Sequence, residues 1–455
     1  MRDVSGLIKA YDVRGVVPDE LDEALARDIG RCFGALIQPA AAIVIGHDMR
    51  ESGPGLAAAF ADGVMSQGID VIRIGLASTD QLYFASGKLD VPGAMFTASH
   101  NPARYNGIKM CYAGAKPVGQ DTGLNQIKDW ITDGAIPEVA GATPGTARDQ
   151  DMLTAYAQHL HSLVDISASR HLKVVVDAGN GMGGHTAPAV FKGLPLEIVP
   201  MYFELDGSFP NHEANPIEAA NVADLRARVV AEKADIGLAF DGDADRCFVI
   251  DELGQIVSPS TITALVAARE LRREPGSTII YNCITSRAVP EIVRELGGTP
   301  VRTRVGHSFI KAEMARTGAI FGGEHSGHFY FRDFWKADSG MLAALHTLAA
   351  LGEYDGSLSE LLAQYSRYPS SGEINSTVDD PQGVIAQVEK HYTGSEGVTL
   401  DHLDGLTVSH DAWWFNLRAS NTEPLLRLNV EADDRSTMER VRDEALALIT
   451  KGATA

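Results

Sequence analysis

Short apolar runs recur along the chain, each closed by a polar or glycine-rich turn and followed by residues at helical spacing. Residues 41–45 are apolar and lead through a polar turn to a helix-like stretch at 55–66. Residues 174–176 lead into Asp177, Ala178, Gly179, Asn180 and Gly181. Residues 278–281 lead into a polar segment at 282–287 and then another helix-like stretch. Continuous apolar runs, unlike alternating ones, mark strands covered on both faces, so each unit reads as buried strands under helices. Turn residues cluster at 144–149, 251–254 and 368–372, which places joints there. The predicted domains are therefore 1–148, 149–252, 253–367 and 368–455. The last one differs. Short strands at 413–417 and 425–430 precede a helix at 436–449, the pattern of a smaller α+β domain.

Length and charge narrow the classes. A chain of 455 residues exceeds what one hydrophobic core supports, in line with several domains. Hydrophobic content of 45% and charged content of 22% are ordinary for a soluble globular protein. No apolar run reaches the ~18 residues that cross a bilayer, so no membrane partner is expected. Residues Met1 to Gly6 carry no apolar leader segment, so no secretory signal is expected. Cys32, Cys111, Cys247 and Cys283 lack metal-ligand or redox spacing and read as packing residues of a reduced, cytoplasmic protein. A net charge of −21 repels phosphate backbones, so nucleic acid is not an expected partner. A small anionic substrate would need cations gathered locally.

Four polar clusters carry the chemistry. After a short apolar strand at 93–96 come Thr97, Ala98, Ser99, His100, Asn101 and Pro102, then Asn106, Gly107, Ile108 and Lys109. Side chains at the end of such a strand are expected to be exposed for chemistry, although a serine there also closes a strand as a simple turn. The second cluster is Asp241, Gly242, Asp243, Ala244, Asp245 and Arg246, between strands predicted at 236–240 and 247–250. Three carboxylates at alternate positions repel one another unless a cation holds them, and hard oxygen donors suit Mg²⁺ or Ca²⁺. The spacing imitates an EF-hand, with Glu252 at its twelfth place. But Arg246 stands where that loop needs glycine, and the flanks are strands. A hairpin-like Mg²⁺ loop in a buried or cleft setting, open to a phosphate oxygen, is the better reading. The third cluster is Glu324, His325, Ser326, Gly327 and His328, with Arg304, His307 and Lys311 upstream, a set of donors and acceptors for a polyol. The fourth is Arg418, Ser420, Asn421 and Thr422 with Arg427 behind it, a suitable phosphate cradle or else a capped turn. The run from Gly179 to Gly184 lacks dinucleotide-binding spacing and reads as a tight strand-to-helix turn.

In order and spacing these clusters resemble the phosphoserine, metal, sugar and phosphate loops of the α-D-phosphohexomutase superfamily, across nearly the whole chain. Tyr11, Asp12, Val13, Arg14 and Gly15 are similar to the family's opening segment, whose arginine lies in the active site. The resemblance implies an α/β fold with three similar mixed α/β domains and a smaller C-terminal α+β domain around a central cleft. It implies an intramolecular phosphotransferase that interconverts hexose 6-phosphate and hexose 1-phosphate. Ser99 would carry the phosphoryl group. Asp241, Asp243 and Asp245 would hold Mg²⁺, with an oxygen of phosphorylated Ser99 completing the shell. Tyr11, Glu324, Ser326, His328, Arg418, Ser420, Asn421, Thr422 and Arg427 would bind the substrate. His100 and Arg246 would position the phosphoryl group, and Arg14, Lys109, His307 and His328 are the candidates for the general base. A hexose 1,6-bisphosphate would be both intermediate and activator, and the chain would act as a monomer or weak homodimer.

The segment from Glu324 through Phe329 to Met341 is similar to the phosphomannomutase/phosphoglucomutase branch, whereas phosphoglucosamine mutases usually carry glutamine at the place of His325. One departure stands out. Ile284 occupies a position where many bacterial members carry a lysine that contacts the sugar, with Arg287 as a candidate substitute. The competing readings are a phosphoglucosamine mutase, a metal-dependent phosphomonoesterase and a non-catalytic sugar-phosphate-binding protein.

Overall fold

The computed structural model describes residues 3–139, 141, 143–419 and 425–452, with the backbone alone at His307, Lys451 and Gly452. The chain falls into two compact units, one of residues 1–259 and 326–361 and one of residues 260–325 and 362–455.

The first unit contains two mixed sheets. In one, the strand Gly93–Phe96 lies between Tyr105–Tyr112, which is antiparallel to it, and Ala42–His47, which is parallel. All four residues of Gly93–Phe96 are buried, as a fully apolar run requires. The helices Glu23–Leu36 and Gly53–Met65 cover this sheet with Phe33 and Phe60, whose core reaches Phe96. The segment 144–149, read from its turn residues as a joint, includes the strand Ala147–Asp149. It pairs with Asp70–Leu76 and so extends the sheet.

The second sheet supplies the acidic loop. Ile236–Phe240 and Cys247–Asp251 form an antiparallel hairpin with Phe240 opposite Cys247, and every residue of both strands is buried. Ile236–Phe240 runs parallel to Leu172–Asp177. The glycine-rich segment after Leu172–Asp177 is a tight turn into the helix Gly183–Val190, as expected. Its glycines answer a close approach: a Cβ at Gly181 would lie 2.7 Å from the Gly242 carbonyl oxygen. The two loops touch backbone to backbone. This unit also holds the antiparallel pair Phe329–Phe331 and Ala337–Asp338 and the fully buried helix Gly340–Gly352, capped by the Ser339 hydroxyl.

In the second unit, Thr278–Asn282 lies between the parallel strands Thr299–Thr303 and Phe321–Gly323. A five-stranded antiparallel sheet follows, in the order Ser370–Thr377, Leu425–Ala432, Trp413–Ala419, Leu406–His410 and Thr399–Asp401. The helices Pro381–Tyr392 and Arg435–Gly452 share one core with it through Val388, Phe415, Leu428 and Val441.

Candidate active site

Ser99 lies three residues past the end of Gly93–Phe96, with φ of 51°, a left-handed conformation that a non-glycine residue rarely adopts. Its N–H donates to Thr97 Oγ1 at 2.9 Å. The hydroxyl is not exposed, contrary to the expectation from the strand end; Ser99 is 5% accessible. The acidic loop covers it so closely that a Cβ on Gly242 would stand 2.3 Å from the Ser99 carbonyl oxygen. Ser99 Oγ donates to Asp241 Oδ2 at 2.9 Å, with Arg246 Nη2 at 3.4 Å and His100 Nδ1 at 3.3 Å.

Asp241, Asp243 and Asp245 sit at the tip of the hairpin with oxygens within 4.8 Å of one another, all three buried. Lys109 Nζ reaches Asp243 Oδ2 at 2.6 Å and Asp245 Oδ2 at 2.7 Å, and Arg246 reaches Asp241 Oδ2 at 2.8 Å. Asp243 Oδ1 and Asp245 Oδ1 are buried without a hydrogen-bond partner. Two buried carboxylate oxygens in that condition are costly unless a cation binds them, so the donor set fits a hard divalent metal.

The charges are unevenly tuned. Burial pushes the Asp241 carboxyl up to about 7, against the pull of Arg246. Burial also works against a charge on Asp243, but Lys109 and a hydrogen bond from Thr79 outweigh it and hold that carboxyl well below the usual range. Lys109 is half-buried and its desolvation works against the charge, yet Asp243 and Asp245 outweigh this and raise its pKa well above the ordinary value. An ammonium so held is a poor proton acceptor. His100 goes the other way. Burial, then Arg246 and Arg14, lower its pKa, so it stays neutral and accepts from Arg246 Nη2 at Nδ1. Arg14 donates to Asn101 Oδ1 at 2.6 Å and pairs with Asp12, and Tyr11 is half-buried nearby in sequence. His328 Nε2 lies 3.6 Å from Asp245 Oδ1 and 3.8 Å from Asp338 Oδ2. The first unit thus gathers Arg14, Ser99, His100, Lys109, Asp241, Asp243, Asp245, Arg246 and His328.

The segment 324–328 is divided between the units. Ser326 and His328 belong to the first; Glu324 and His325 belong to the second. Ser326 Oγ and His328 Nδ1 are 3.4 Å apart. Glu324 is buried and accepts from Asn282 Nδ2 and from the Gly306 N–H. Burial lowers the His325 pKa. Arg418 and Arg427 face each other across neighbouring strands and share Glu373, at 3.3 Å and 3.2 Å. Ser420, Asn421, Thr422 and the side chain of His307 lie outside the described residues. Ile284 is buried, as an apolar residue at that place prefers. Arg287, the candidate substitute for a lysine there, pairs with Asp433, donates to the Asp411 carbonyl and stacks on Tyr368 at 4.0 Å.

Three contributors had no signal in the sequence. Thr79, at the start of the helix Thr79–Leu89, donates its N–H to the Asp243 carbonyl at 3.0 Å and its hydroxyl to Asp243 Oδ2 at 2.5 Å. Asp80 beside it accepts from Tyr156 OH and Ser339 Oγ, each at 2.6 Å. Glu373 is an isolated acid on a strand. Each acts across long sequence separations, which spacing does not reveal.

Four family models match in turn: phosphoglucomutase/phosphomannomutase α/β/α domains I, II and III at residues 6–135, 154–254 and 258–368, and the C-terminal domain at 373–448. A protein of Xanthomonas campestris pv. campestris described as "Phosphohexose mutases" is 41% identical over 98% of this chain and 99% of its own length. A phosphomannomutase of Salmonella typhimurium is 40% identical over 97% of this chain and 98% of its own. Among solved structures, a phosphoglucomutase/phosphomannomutase family protein from Burkholderia thailandensis superposes with a TM-score of 0.89 at 35% identity, covering 98% of each chain. Three α/β domains and a C-terminal domain, a serine set on a buried acidic hairpin, and full-length relatives of this kind together place the chain in the phosphoglucomutase/phosphomannomutase family, as a phosphohexomutase.

Proposed function

We propose that the chain interconverts hexose 6-phosphate and hexose 1-phosphate, with mannose and also glucose as the sugar, through a phosphoryl group carried on Ser99. The observation that carries this reading is the Ser99 hydroxyl, 2.9 Å from Asp241 Oδ2 at the edge of a buried triad with two carboxylate oxygens that accept no hydrogen bond. Asp241, Asp243 and Asp245 are the residues to hold Mg²⁺, which when bound supplies positive charge beside the phosphoryl group and the departing serine oxygen. Arg418, Ser420, Asn421, Thr422 and Arg427 bind the phosphate already on the substrate, and Glu324 and Ser326 its hydroxyls. The free sugar hydroxyl attacks phosphorus, the bond from phosphorus to Ser99 Oγ breaks, and a hexose 1,6-bisphosphate forms. Arg246 and neutral His100 hold the phosphoryl oxygens. His328 takes the attacking proton, because the imidazolium so formed faces Asp245 and Asp338. The bisphosphate then returns its other phosphate to Ser99 after reorienting, and added bisphosphate serves as activator by loading Ser99. Relatives described as phosphomannomutases do not favour glucosamine as the sugar. The four cysteines are all free and buried, which supports a reducing compartment such as the cytoplasm. Among the described residues no helix is long and apolar enough to cross a membrane.

Intact mass after treatment with glucose or mannose 1,6-bisphosphate should show one phosphate on the protein and none on Ser99→Ala. Turnover by Ser99→Ala should fall by orders of magnitude with the melting curve preserved. Mutase rates with mannose, glucose and glucosamine phosphates then assign the sugar. Phosphate persisting on Ser99→Ala would show that another residue is the carrier.

A further inference from the structure

Arg50 has no place among the residues assigned so far, yet it is the most completely engaged cation near Ser99. It is 2% accessible, and all five of its guanidinium N–H groups have acceptors. Nε donates to Asp48 Oδ2 at 3.2 Å. Nη1 donates to the carbonyls of Pro102 and Tyr105, both at 2.9 Å. Nη2 donates to the carbonyls of Ser99 at 2.9 Å and Asn101 at 2.6 Å. Four carbonyls within seven residues of chain therefore converge on one planar group. The base of this grip is also fixed. Asp48 N–H donates to the Phe96 carbonyl, and Asp48 Oδ1 accepts from the Arg50 N–H at 2.9 Å. Phe209 covers the guanidinium at 5.2 Å, and a Cβ on Gly207 would come within 2.9 Å of Arg50 Cα.

A left-handed serine is strained and persists only where its surroundings over-determine it. Here the over-determination comes from below, through the peptide carbonyl of Ser99 itself. We propose that Arg50 is the positioning residue of Ser99, gripping the carbonyls of residues 99–105 so that the serine hydroxyl stays on Asp241. This rests on Ser99 as the phosphoryl carrier. Arg50 touches no reacting atom; its effect passes through the backbone of the nucleophile. Lysine keeps the charge but offers three donors on a point, so it cannot satisfy four carbonyls and a carboxylate in one plane.

The test is Arg50→Lys in the full chain, with saturating Mg²⁺ and 1,6-bisphosphate. A nucleophile misplaced by about 1 Å loses about 100-fold in rate, so kcat should fall by about that factor while KM stays within about threefold. Hydrogen exchange should speed up in peptides covering 99–105 and not in those covering 236–251. A kcat within about threefold of wild type overturns the proposal, as does a rise in KM that accounts for the whole loss of kcat/KM. Should Arg50→Lys fail to fold, Asp48→Asn keeps the guanidinium and removes its anchor, and the same split between kcat and KM is read from it. Ser99→Ala separates the two layers. If it keeps both phosphate and turnover, the carrier reading is wrong. If wild-type Ser99 is phosphorylated and Arg50→Lys turns over normally, the carrier stands and the positioning role falls.

Discussion

At Asp243 two donors from outside its loop, the Thr79 hydroxyl and the Lys109 ammonium, meet one carboxylate oxygen, and the Thr79 N–H holds the peptide carbonyl behind it. Asp243→Asn removes a ligand charge and leaves Lys109 one carboxylate short. Divalent affinity should fall by at least tenfold in a calorimetric titration, with turnover at fixed Mg²⁺ falling in step. An unchanged affinity would remove Asp243 from the metal set. His212 gives a pH test elsewhere. Its Nε2 faces Asp177 Oδ2 at 3.1 Å and its Nδ1 faces the Glu213 carbonyl at 2.9 Å, so only the doubly protonated ring satisfies both. Burial opposes that charge, but the Asp177 contact outweighs it and raises the pKa above 6.5. The stabilisation is thus complete below 6.5 and is lost as pH rises through the higher folded value. His212→Gln should lower Tm more at pH 6 than at pH 9. An equal loss at both would mean the ring acts uncharged. At this scale the sequence shows residue types and spacing: the three aspartates, Ser99 and Arg246 were legible as a chemical set. That Ser99 is buried, or that Lys109 is committed to two carboxylates, follows from partners more than a hundred residues away, and no local pattern encodes them.

Between elements, the decisive contact is that of the serine loop with the acidic hairpin. The apolar runs at 93–96, 236–240 and 247–250 were readable as strands because they are buried on every side, and the strand ends followed from the first polar residue. The apposition of their loops was not readable, since a glycine between two aspartates looks like any turn glycine. In the structure Gly242 is needed for space. Its missing Cβ makes room for the Ser99 carbonyl, a backbone atom that cannot step aside. Gly242→Ala should therefore push the loops apart, lengthen the contact from Ser99 to Asp241 and reduce turnover by about two powers of ten, with divalent binding weakened less. Stopped-flow turnover and a metal titration on the same variant check this. Near-normal turnover would show that the two loops tolerate separation.

Over the whole chain, three α/β domains and a smaller α+β domain were legible because turn clusters and runs of buried strand repeat at domain spacing. The segment 144–149 was harder, because Ala147–Asp149 pairs at a sheet edge with all three residues exposed and so carries no apolar signal. Such a domain list suggests that the pieces are separable, each with its own task. The link from Thr79 to Asp243 says otherwise. The residue that finishes the acidic loop is supplied by the helix Thr79–Leu89, from the preceding domain, and Asp80 in the same helix reaches Tyr156 and Ser339 beyond it. A fragment of residues 149–252 made alone would keep all three aspartates and should still bind a divalent ion at least tenfold more weakly than the full chain. Adding a fragment of residues 1–148 should restore part of that affinity, and less of it when that fragment carries Thr79→Val. Equal affinity in the isolated fragment would mean that the metal loop is self-sufficient. The domains of this chain are units of descent and of folding pattern, but the unit of chemistry is drawn across their borders.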